Sequence, residues 1–503
     1  MSRFLGGTSF CTQYQYNKVR LLQYPMSQPS GKDQLLQLIR EQKPLSFRQQ
    51  LALTFQLSLP AILASASAMV MQFIDAAMVG QLGADDSASV GLMGTTFWLF
   101  EGVISSFVAG YAVQVAHLLG ASRAADARQI VRQSLVVCSL FGILMALLGV
   151  GLSRPLPVWL GAEPHIRAHA TLYFGTFMLF VPLLMIDFVA SAMLRCSGNM
   201  RVPSLLNVLM CVLDVVFNFF LIFPTRDIKL FDNAITMPGA GLGVLGAALG
   251  SACAGLVVAS LMIYYLVFRS SELRLTLDKG SFKPTWRCFR KSLTISSPMA
   301  LQHTMLCGAS IVITGIVAPL GSIALAANSF AITAESLCYM PGYGIADAAT
   351  TLIGQSLGAG RKRLTRSFAW ITVLSGMVIM GVMAVLMYLF APQMMGIMSP
   401  VEEIVDLGSR CLRLEAWAEP LFAASIISYG VFVGAGSTLL PCGINLVSMW
   451  IVRLGLSAIL VTSMGLYGVW LAMAIELCFR GVVYLIALSR GRWLNTAIVK
   501  TNQ

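Results

Sequence analysis

The segments LGASRAADAR, residues 119–128, and LGAGRKRLTR, residues 357–366, share a Leu-Gly-Ala-x-Arg start and a second arginine five positions later. They lie 238 positions apart, and this offset relates residues 60–207 to residues 298–445 without a gap. Identical residue types recur at the offset: Pro60 with Pro298, Gly83 with Gly321, Gly198 with Gly436, Pro203 with Pro441, and Asn207 with Asn445. The chain therefore contains two copies of one structural unit.

The composition is that of a membrane protein. Of the 503 residues, 57% are hydrophobic and 11% are charged, whereas charged residues make up about 25% of an ordinary soluble domain. The mean hydropathy is +0.77. A soluble chain of this length could not bury so much apolar surface, so we predict a polytopic membrane protein. The eleven cysteines form no C-x-x-C pair and predict neither a disulfide framework nor a metal cluster.

Twelve apolar runs, six in each copy, are long enough to cross a bilayer. We number them as spans 1 to 12, at 51–79, 87–113, 131–152, 170–194, 203–223, 241–268, 292–317, 323–353, 368–391, 410–435, 441–463 and 466–489. Backbone groups in hydrocarbon must hydrogen-bond internally, so each span is predicted to be a helix. The predicted fold class is an all-α polytopic membrane protein, with two six-helix lobes related by a pseudo-two-fold axis along the membrane normal. The first copy carries 13 additional residues in the loop around 224–240.

The distribution of positive charge predicts the orientation. Of the 34 Lys and Arg residues, 26 lie in segments on the side of the N-terminus and four lie in loops on the other side. Both termini are therefore predicted to be cytoplasmic, and the net charge of +12 to face anionic membrane lipid rather than nucleic acid. The predicted organisation is a cytoplasmic tail 1–50, an N-lobe 51–268, an inter-lobe loop 269–291, a C-lobe 292–489 and a cytoplasmic tail 490–503.

The first 50 residues are polar and contain no apolar segment of the kind found in a signal peptide. We predict a poorly ordered tail that ends in an amphipathic helix near residues 35–49. The glycine-rich stretch GLGVLGAALG, residues 241–250, opens span 6 and predicts close helix packing rather than phosphate binding, since no strand precedes it.

Several stretches resemble motifs of the multidrug and toxic compound extrusion (MATE) family of antiporters. They are FIDAAMVGQLGADDSASVGL at 73–92, AMLRCSGNMRVPSLLNVLMCVLDVVFNFFLIFP at 192–224, MPGYGIADAATTLIGQSLGAGRKR at 340–363, GVFVGAGSTLLP at 430–441 and MWIVRLGL at 449–456. The resemblance covers about 51–489. It implies two six-helix lobes around a central cleft that opens alternately to either side, and export of organic, often cationic, compounds in exchange for Na⁺ or H⁺.

Acidic residues within the predicted spans are the candidates for ion coupling, because an unpaired charge in the membrane costs several kcal/mol. We identify eight: Asp75, Glu101, Asp187, Asp214, Glu335, Asp347, Glu419 and Glu476. Asp75 is the strongest candidate, as it is the only charge between Gln49 and Ala84. Pro60 lies 15 residues before it and is expected to kink span 1, which could link protonation to helix bending. The alternative is a buried Asp that holds a neighbouring helix.

Asp214 and Asn218 are four residues apart and so share one face of span 5. An acid and an amide oxygen at this spacing could coordinate Na⁺ or relay a proton with Asp75. The resemblance implies the same role, although the family usually shows Asn before Asp and this chain has the reverse order. Ser251 matches a Thr or Ser that completes the family's ion site. No metal site beyond a possible Na⁺ site at Asp75, Asp214 and Asn218 is predicted, since His165 and His169 lack a third ligand.

Further residues are candidates for lining the substrate cleft. They are Gln72, Phe73, Met78, Glu101, Asp187, Phe217 and Glu335. Aromatic and methionine side chains can form an adaptable surface, and a buried carboxylate attracts a cation. We expect Asp347 and Glu476 to pair with Arg453 or Arg480 as structural ion pairs, and Glu419, which precedes Pro420, to lie near the outer end of span 10. The resemblance implies that coupling in the second lobe would use acids of spans 7 and 10, and span 7 contains none, so coupling is expected in the first lobe.

The sequence thus predicts a secondary active transporter of the inner membrane, a Na⁺- or H⁺-coupled antiporter that functions as a monomer and exports small organic cations. No cofactor is predicted beyond the coupling ion. A flippase for a lipid-linked saccharide or another amphipathic metabolite keeps the same fold, but it would need several basic residues where this chain has acids. A passive channel is a third alternative. An enzyme is disfavoured, because no set of nucleophile, base and metal ligands is found, and no Walker motif indicates ATP as the energy source.

Overall fold

The computed structural model describes residues 31–230 and 233–496, and within these ranges the chain is almost entirely helical. Nine helical runs are individually long and apolar enough to cross a bilayer, and two bent helix pairs each form one further span. One of the nine, Leu439–Arg490, is 52 residues long and contains two predicted spans. The prediction of twelve transmembrane helices in two lobes is confirmed for the described residues.

The helices extend beyond the apolar runs by several residues at most ends, because polar residues continue them into the interface. The bounds of spans 1 to 6 are Phe47–Gly80, Ala84–Gly120, Ala124–Leu152, the pair Arg167–Leu179 and Val181–Cys196, Arg201–Ile222, and Gly243–Tyr264 with a π-helical end at Tyr265–Arg269. The bounds of spans 7 to 10 are Trp286–Val317, Ser322–Gly358, Lys362–Met398, and the pair Glu402–Glu415 and Glu419–Gly434. Spans 11 and 12 comprise Leu439–Val447, a π-helical segment Ser448–Arg453 and Leu454–Arg490.

Two spans are bent, and a third break separates two neighbouring spans. Span 4 bends by 47° before Pro182, and span 10 bends by 62° before Pro420. Proline suits these places because it fits the first turn of a new helix and cannot continue the old one. Spans 11 and 12 are separated at Gly465, whose φ of 58° and ψ of −138° only glycine adopts without strain. The helix of span 1, in contrast, continues through Pro60.

The predicted amphipathic helix lies earlier than expected. It covers Gly31–Arg40, with Leu36 and Ile39 buried, and not residues 35–49. Span 1 begins separately at Phe47, because Ser46 and Gln49 form a capping box in which each side chain bonds the other's backbone N–H. The prediction of a poorly ordered tail concerns residues 1–30, which are outside the described residues.

The inserted loop between spans 5 and 6 is a β-hairpin, which the all-α prediction did not include. Strand β1, Pro224–Leu230, pairs antiparallel with strand β2, Asn233–Ala240. The additional residues therefore form a small, separate element outside the helices. They leave the repeat of the spans intact.

Each lobe has its own apolar core. One buried cluster in the N-lobe joins spans 2, 3, 4 and 6, and two clusters in the C-lobe join spans 7 to 12. One of the C-lobe clusters also takes in the N-terminal helix and Leu53 and Leu57 of span 1. The two lobes meet where span 1 packs on span 8 and span 2 packs on span 7, and spans 2 and 8 also contact one another. These four helices form the boundary at which a substrate path between the lobes would lie.

The inter-lobe loop is fixed to the N-lobe by arginines of span 3. The carboxylate of Asp278 accepts hydrogen bonds from Arg128 Nε at 2.7 Å and from Arg132 Nη2 at 2.5 Å. The hydrogen bond from Arg132 holds the pKa of Asp278 below its ordinary value, against the smaller opposite effect of burial. Arg40 of the N-terminal helix forms an ion pair with Glu272 in the same loop.

Candidate functional site

Three of the predicted coupling residues meet in the N-lobe. The amide nitrogen Nδ2 of Asn218 donates one hydrogen bond to Asp75 Oδ1 at 2.9 Å and another to Asp214 Oδ2 at 3.0 Å. Asp214 and Asn218 are almost fully buried, with 0% and 1% exposure, and Asp75 is half-buried. A single amide on span 5 therefore bridges an acid of span 1 and an acid of its own helix.

The local geometry explains why these side chains converge. The spacing of four places Asp214 and Asn218 one helical turn apart on the face of span 5 that packs on span 1. Span 6 lies against the opposite side of Asn218, where Gly250 approaches so closely that a methyl group there would overlap the Asn218 side-chain oxygen. The close packing predicted for residues 241–250 is thus observed, and its function is to leave room for the amide.

Ser251, the predicted fourth member, is half-buried and forms no hydrogen bond with Asp75, Asp214 or Asn218 among the described residues. The residue of span 6 that contacts the amide is Gly250. Because successive helical residues differ by about 100° in direction, the neighbour of a packed glycine faces elsewhere. The structure therefore brings together three of the four predicted coupling residues.

The side chains of Asp75, Asp214 and Asn218 carry more hydrogen-bond acceptors than donors, and their surroundings are apolar. Asp214 Oδ1 and Asn218 Oδ1 are buried and have no hydrogen-bond partner among the described residues. Two carboxylates bonded to one nitrogen repel each other when both are charged. Binding of a proton or a monovalent cation would remove this repulsion and use the free oxygens, so the group has the chemistry of an ion site.

The C-terminal ends of spans 1 and 5 pack beside this group, together with span 6. Met78 and Val79 pack with Ile222, Phe223 and Ala247 in a small buried cluster. Met78, a predicted cleft residue, is therefore part of the packing around the acids, with 8% exposure. Among the other candidates, Gln72 and Phe73 are exposed on span 1 and Phe217 is half-buried on span 5.

The remaining N-lobe acids are separate from this site. The side chain of Glu101 is exposed on span 2, and Gly102 beside it packs against His303 of span 7. Asp187 on span 4 is half-buried, and its Oδ1 has no hydrogen-bond partner among the described residues. Their positions leave both as candidates for contact with a substrate.

The C-lobe contains more buried acid than the sequence analysis recognised. Glu335 is 5% exposed, and Glu419 and Glu476 are fully buried. Glu415 is also fully buried, with neither carboxylate oxygen bonded to any described residue, and it was overlooked in the sequence. The available signal was the predicted span itself, since the run 410–435 contains Glu415.

One predicted ion pair is observed and the other is wrong. Glu476 lies 3.2 Å from Arg480 and accepts a hydrogen bond from Ser448. Asp347, however, pairs with Arg195 of the N-lobe at 2.6 Å, and not with an arginine of its own lobe. Spans 4 and 8 meet at the boundary between the lobes, so Asp347 finds its partner there.

The histidines His165 and His169 at the start of span 4 pair with acids. His165 lies 3.4 Å from Asp85 and 3.5 Å from Glu163, and His169 bonds to Asp86. No group of three or more His, Cys, Asp or Glu side chains suited to a metal ion is found within residues 31–230 and 233–496. These contacts join the start of span 2 to the start of span 4.

The repeat, the two lobes and the membrane spans define a polytopic transporter. The family model MatE matches residues 60–220 and, a second time, residues 298–459. The chain therefore belongs to the MATE family of membrane transporters, which are not enzymes, and the resemblance noted in the sequence is confirmed. The two matches begin at the paired prolines Pro60 and Pro298.

Curated relatives extend over nearly the whole chain. The chain is 25% identical over 449 residues to a probable multidrug resistance protein NorM of Thermotoga maritima, covering 88% of this chain and 93% of the relative. It is 27% identical over 450 residues to a NorM protein of Chromobacterium violaceum, covering 87% and 93%. Among solved structures, a MOP superfamily transporter from Pyrococcus furiosus superposes with a TM-score of 0.81 at 20% identity, covering 93% of this chain and 99% of that one.

Proposed function

We propose that this protein is an antiporter that exports organic cations by alternating access of its two lobes, driven by entry of H⁺ or Na⁺. The observation that carries the proposal is the bridge from Asn218 to Asp75 and Asp214. Relatives named as multidrug resistance proteins support an organic substrate. The ion is bound in the N-lobe, where spans 1 and 5 supply its ligands.

The charge of the candidate cleft supports a cationic substrate. Glu101 and Asp187 in the N-lobe and Glu335 in the C-lobe are acids on spans near the lobe boundary. A carboxylate in a low-dielectric site attracts a cation much more strongly than it does in water. A lipid-linked saccharide with a pyrophosphate would meet the wrong sign of charge there, so the flippase alternative is disfavoured.

We further propose a position in the inner membrane, with both termini cytoplasmic and a monomer as the functional unit. The distribution of Lys and Arg supports this orientation. The tails 1–50 and 490–503 and the loop 269–291 then all lie on the cytoplasmic side, next to anionic lipid. Nucleic acid has no role in this proposal.

Dye efflux from proteoliposomes tests the proposal. Vesicles are loaded with a fluorescent organic cation, and either a Na⁺ gradient or a pH gradient is imposed, one at a time. We expect efflux under one of the gradients, loss of efflux in Asp75→Asn and Asp214→Asn, and normal efflux in Asp126→Asn. Asp126 is the matched control because its pair with Arg123 at 2.7 Å is about half exposed at the surface.

Two outcomes would overturn the proposal. Wild-type efflux in Asp75→Asn would remove the assigned ion site. Failure of both ion gradients to drive dye out of vesicles that start with equal dye concentrations inside and outside would indicate a passive channel. A channel only equalises the dye, whereas coupled export moves it against its own concentration gradient while the ion gradient lasts.

A further inference from the structure

Spans 2 and 8 cross on the pseudo-two-fold axis. Gly354 of span 8 faces the Cβ atom of Ala116 of span 2, and these residues are equivalent at the repeat offset of 238. A residue can touch its own equivalent only at the axis. The crossing lies near the ends of both helices, which lead into the arginine-rich loops of the predicted cytoplasmic side.

Two hydrogen bonds flank this crossing, and the repeat relates one to the other. His117 of span 2 bonds through Nε2 to the carbonyl oxygen of Gly434 at 2.8 Å. Gln355 of span 8 donates through Nε2 to the carbonyl oxygen of Cys196 at 2.6 Å. His117 is equivalent to Gln355, and Cys196 is equivalent to Gly434, at the offset of 238. Each bond crosses from one lobe to the other.

The positions of the two acceptor carbonyl groups suit hydrogen bonds that break when the lobes separate. Gly434 and Cys196 are the last residues of their helices, in spans 10 and 4. The final carbonyl groups of a helix have no partner within it and carry partial negative charge. Here a side chain of the opposite lobe fills that position. After separation of the lobes, water could take over the same carbonyl groups.

The backbones also approach closely at this point. A methyl group on Gly120 would overlap the Gln355 carbonyl, and one on Gly358 would overlap the His117 carbonyl, which is again the same contact twice. Both His117 and Gln355 have 0% exposure. The crossing therefore excludes water completely around its two bonds.

The edges of the crossing differ between the two sides. Beside Gln355, Arg195 pairs with Asp347, and the Thr351 hydroxyl donates to the Arg195 carbonyl at 3.2 Å. The equivalents of these three residues are apolar and pack together beside His117: Val433, Ala109 and Val113. The symmetric pair of bonds is thus the feature that both sides of the crossing share.

We propose that the hydrogen bonds of His117 and Gln355 hold the two lobes together on the cytoplasmic side, and that both bonds break together when the lobes open inward. We call this contact between spans 2 and 8 the cytoplasmic gate, and the two residues its latches. The inference rests on the proposed alternating-access function, since only a transporter that opens on this side needs to break them. It assigns to both residues a positioning role in the transport cycle. Neither residue contacts the ion site of span 5.

Spin-label distance measurements test the latches. Nitroxide labels are attached at Ala125→Cys and Arg363→Cys, in a background with the native cysteines replaced. These positions are exposed, follow the ends of spans 2 and 8, and are equivalent at the offset of 238. We expect one short distance to dominate in the parent protein. His117→Ala and Gln355→Ala should each raise the ratio of long to short distances about fivefold, the effect of one net hydrogen bond.

Two further variants make the result specific. His117→Gln places at this position the residue that the repeat has at its equivalent, and it should retain the parent distribution. Thr372→Ala is the matched control, because Thr372 is fully buried but bonds only to Phe368 and Ala369 of its own span. It should leave the distances unchanged. Chromatography and thermal unfolding verify that every variant is folded.

Unchanged distances in both His117→Ala and Gln355→Ala, with the proteins folded, would overturn the proposal. A shift in His117→Gln as large as that in His117→Ala would also overturn it, because the two latches would then not be equivalent. The measurement requires neither substrate nor an ion gradient. Loss of ion coupling appears in the dye-efflux assay and loss of the latches appears in the label distances, so failure of the one proposal is distinguishable from failure of the other.

Discussion

The contact between Asp278 and the arginines of span 3 allows a quantitative prediction. Arg132 is 3% exposed, and its Nη2 donates to the Asp278 carboxylate and to the carbonyl oxygens of Leu275 and Asp278. Asp278→Asn preserves the shape of the side chain but leaves this nearly buried guanidinium with neutral acceptors. Loss of a partner with the opposite charge is costly for a buried ion.

The magnitude follows from the bonds that are lost. Hydrogen bonds between charged groups contribute about 1.5–3 kcal/mol each. The Asp278 side chain is 29% exposed, so solvent weakens both of its bonds and we take about 2 kcal/mol in total. This free energy corresponds to about a thirtyfold rise in the population in which the loop is detached from span 3.

Limited trypsin digestion measures that population. Lys279 lies in the loop and is followed by Gly280, so cleavage after it should be about thirtyfold faster in Asp278→Asn if it proceeds from the detached state. Asp126→Asn, which removes an exposed pair of span 3, should digest at the wild-type rate. Equal rates for wild type and Asp278→Asn would refute the assignment of the loop contact.

The pH dependence has a definite sign. The pKa of Asp278 in the folded protein lies below its ordinary value of 3.8. The stabilisation is therefore fully present above that ordinary value and is lost as the pH falls through the lower, folded value. Amide hydrogen exchange of residues 270–285 should differ between wild type and Asp278→Asn by a constant factor from pH 8 to about 5, and the difference should disappear in stronger acid.

Three further predictions concern single residues. Asn218→Ala removes two hydrogen bonds to carboxylates, each contributing about 1.5–3 kcal/mol, and should reduce dye efflux more than tenfold. Its control is Asn328→Ala, which removes a buried hydrogen bond from Trp470 and should retain efflux. Gly250→Ala should reduce efflux about tenfold, since overpacking against Asn218 costs about 1–3 kcal/mol. Gly465→Ala should lower the melting temperature, because alanine in this backbone conformation is strained by about 1–3 kcal/mol. The added methyl itself has no atom within 4 Å. Gly443→Ala, where the site is equally open but the backbone is helical, should leave the melting temperature unchanged. Normal efflux in Asn218→Ala or in Gly250→Ala, or equal melting temperatures of Gly465→Ala and Gly443→Ala, would contradict the respective structural reason.

The spans could be predicted because apolar length is a local property of the sequence. The bends could be predicted less well. Span 10 was expected at 410–435, but it begins at Glu402, and the segment Glu402–Glu415 is amphipathic rather than apolar. The apolar run therefore covers the segment after Pro420 and only the last residues of the segment before it. Glu415 lies within the predicted run 410–435, so its absence from the eight acids identified there is an omission and not a limit of the sequence.

The contacts within the proposed ion site could be predicted only in part, for a physical reason. The proximity of Asp214 and Asn218 follows from helix periodicity, which a single sequence contains. The contact of Gly250 rather than Ser251 with the amide depends on how span 6 is rotated about its axis, and this is fixed by packing between helices. The pairing of Asp347 with Arg195 likewise depends on contact between the lobes, which no local pattern encodes.

The repeat is retained at the proposed gate and lost at the proposed ion site. The offset of 238 relates His117 to Gln355, bond for bond, whereas the equivalents of Asp75 and Asp214 are Ile313 and Val452. Val452 even lies in a π-helical segment, so the C-lobe lacks the regular helix face that Asp214 uses. A ligand shifts a conformational equilibrium only by its difference in affinity between the two states. In the proposed cycle, an ion bound in the N-lobe therefore has to change the packing of span 1 against span 8. Span 1 carries Asp75 of the proposed ion site and span 8 carries Gln355 of the proposed gate, and the two helices contact one another.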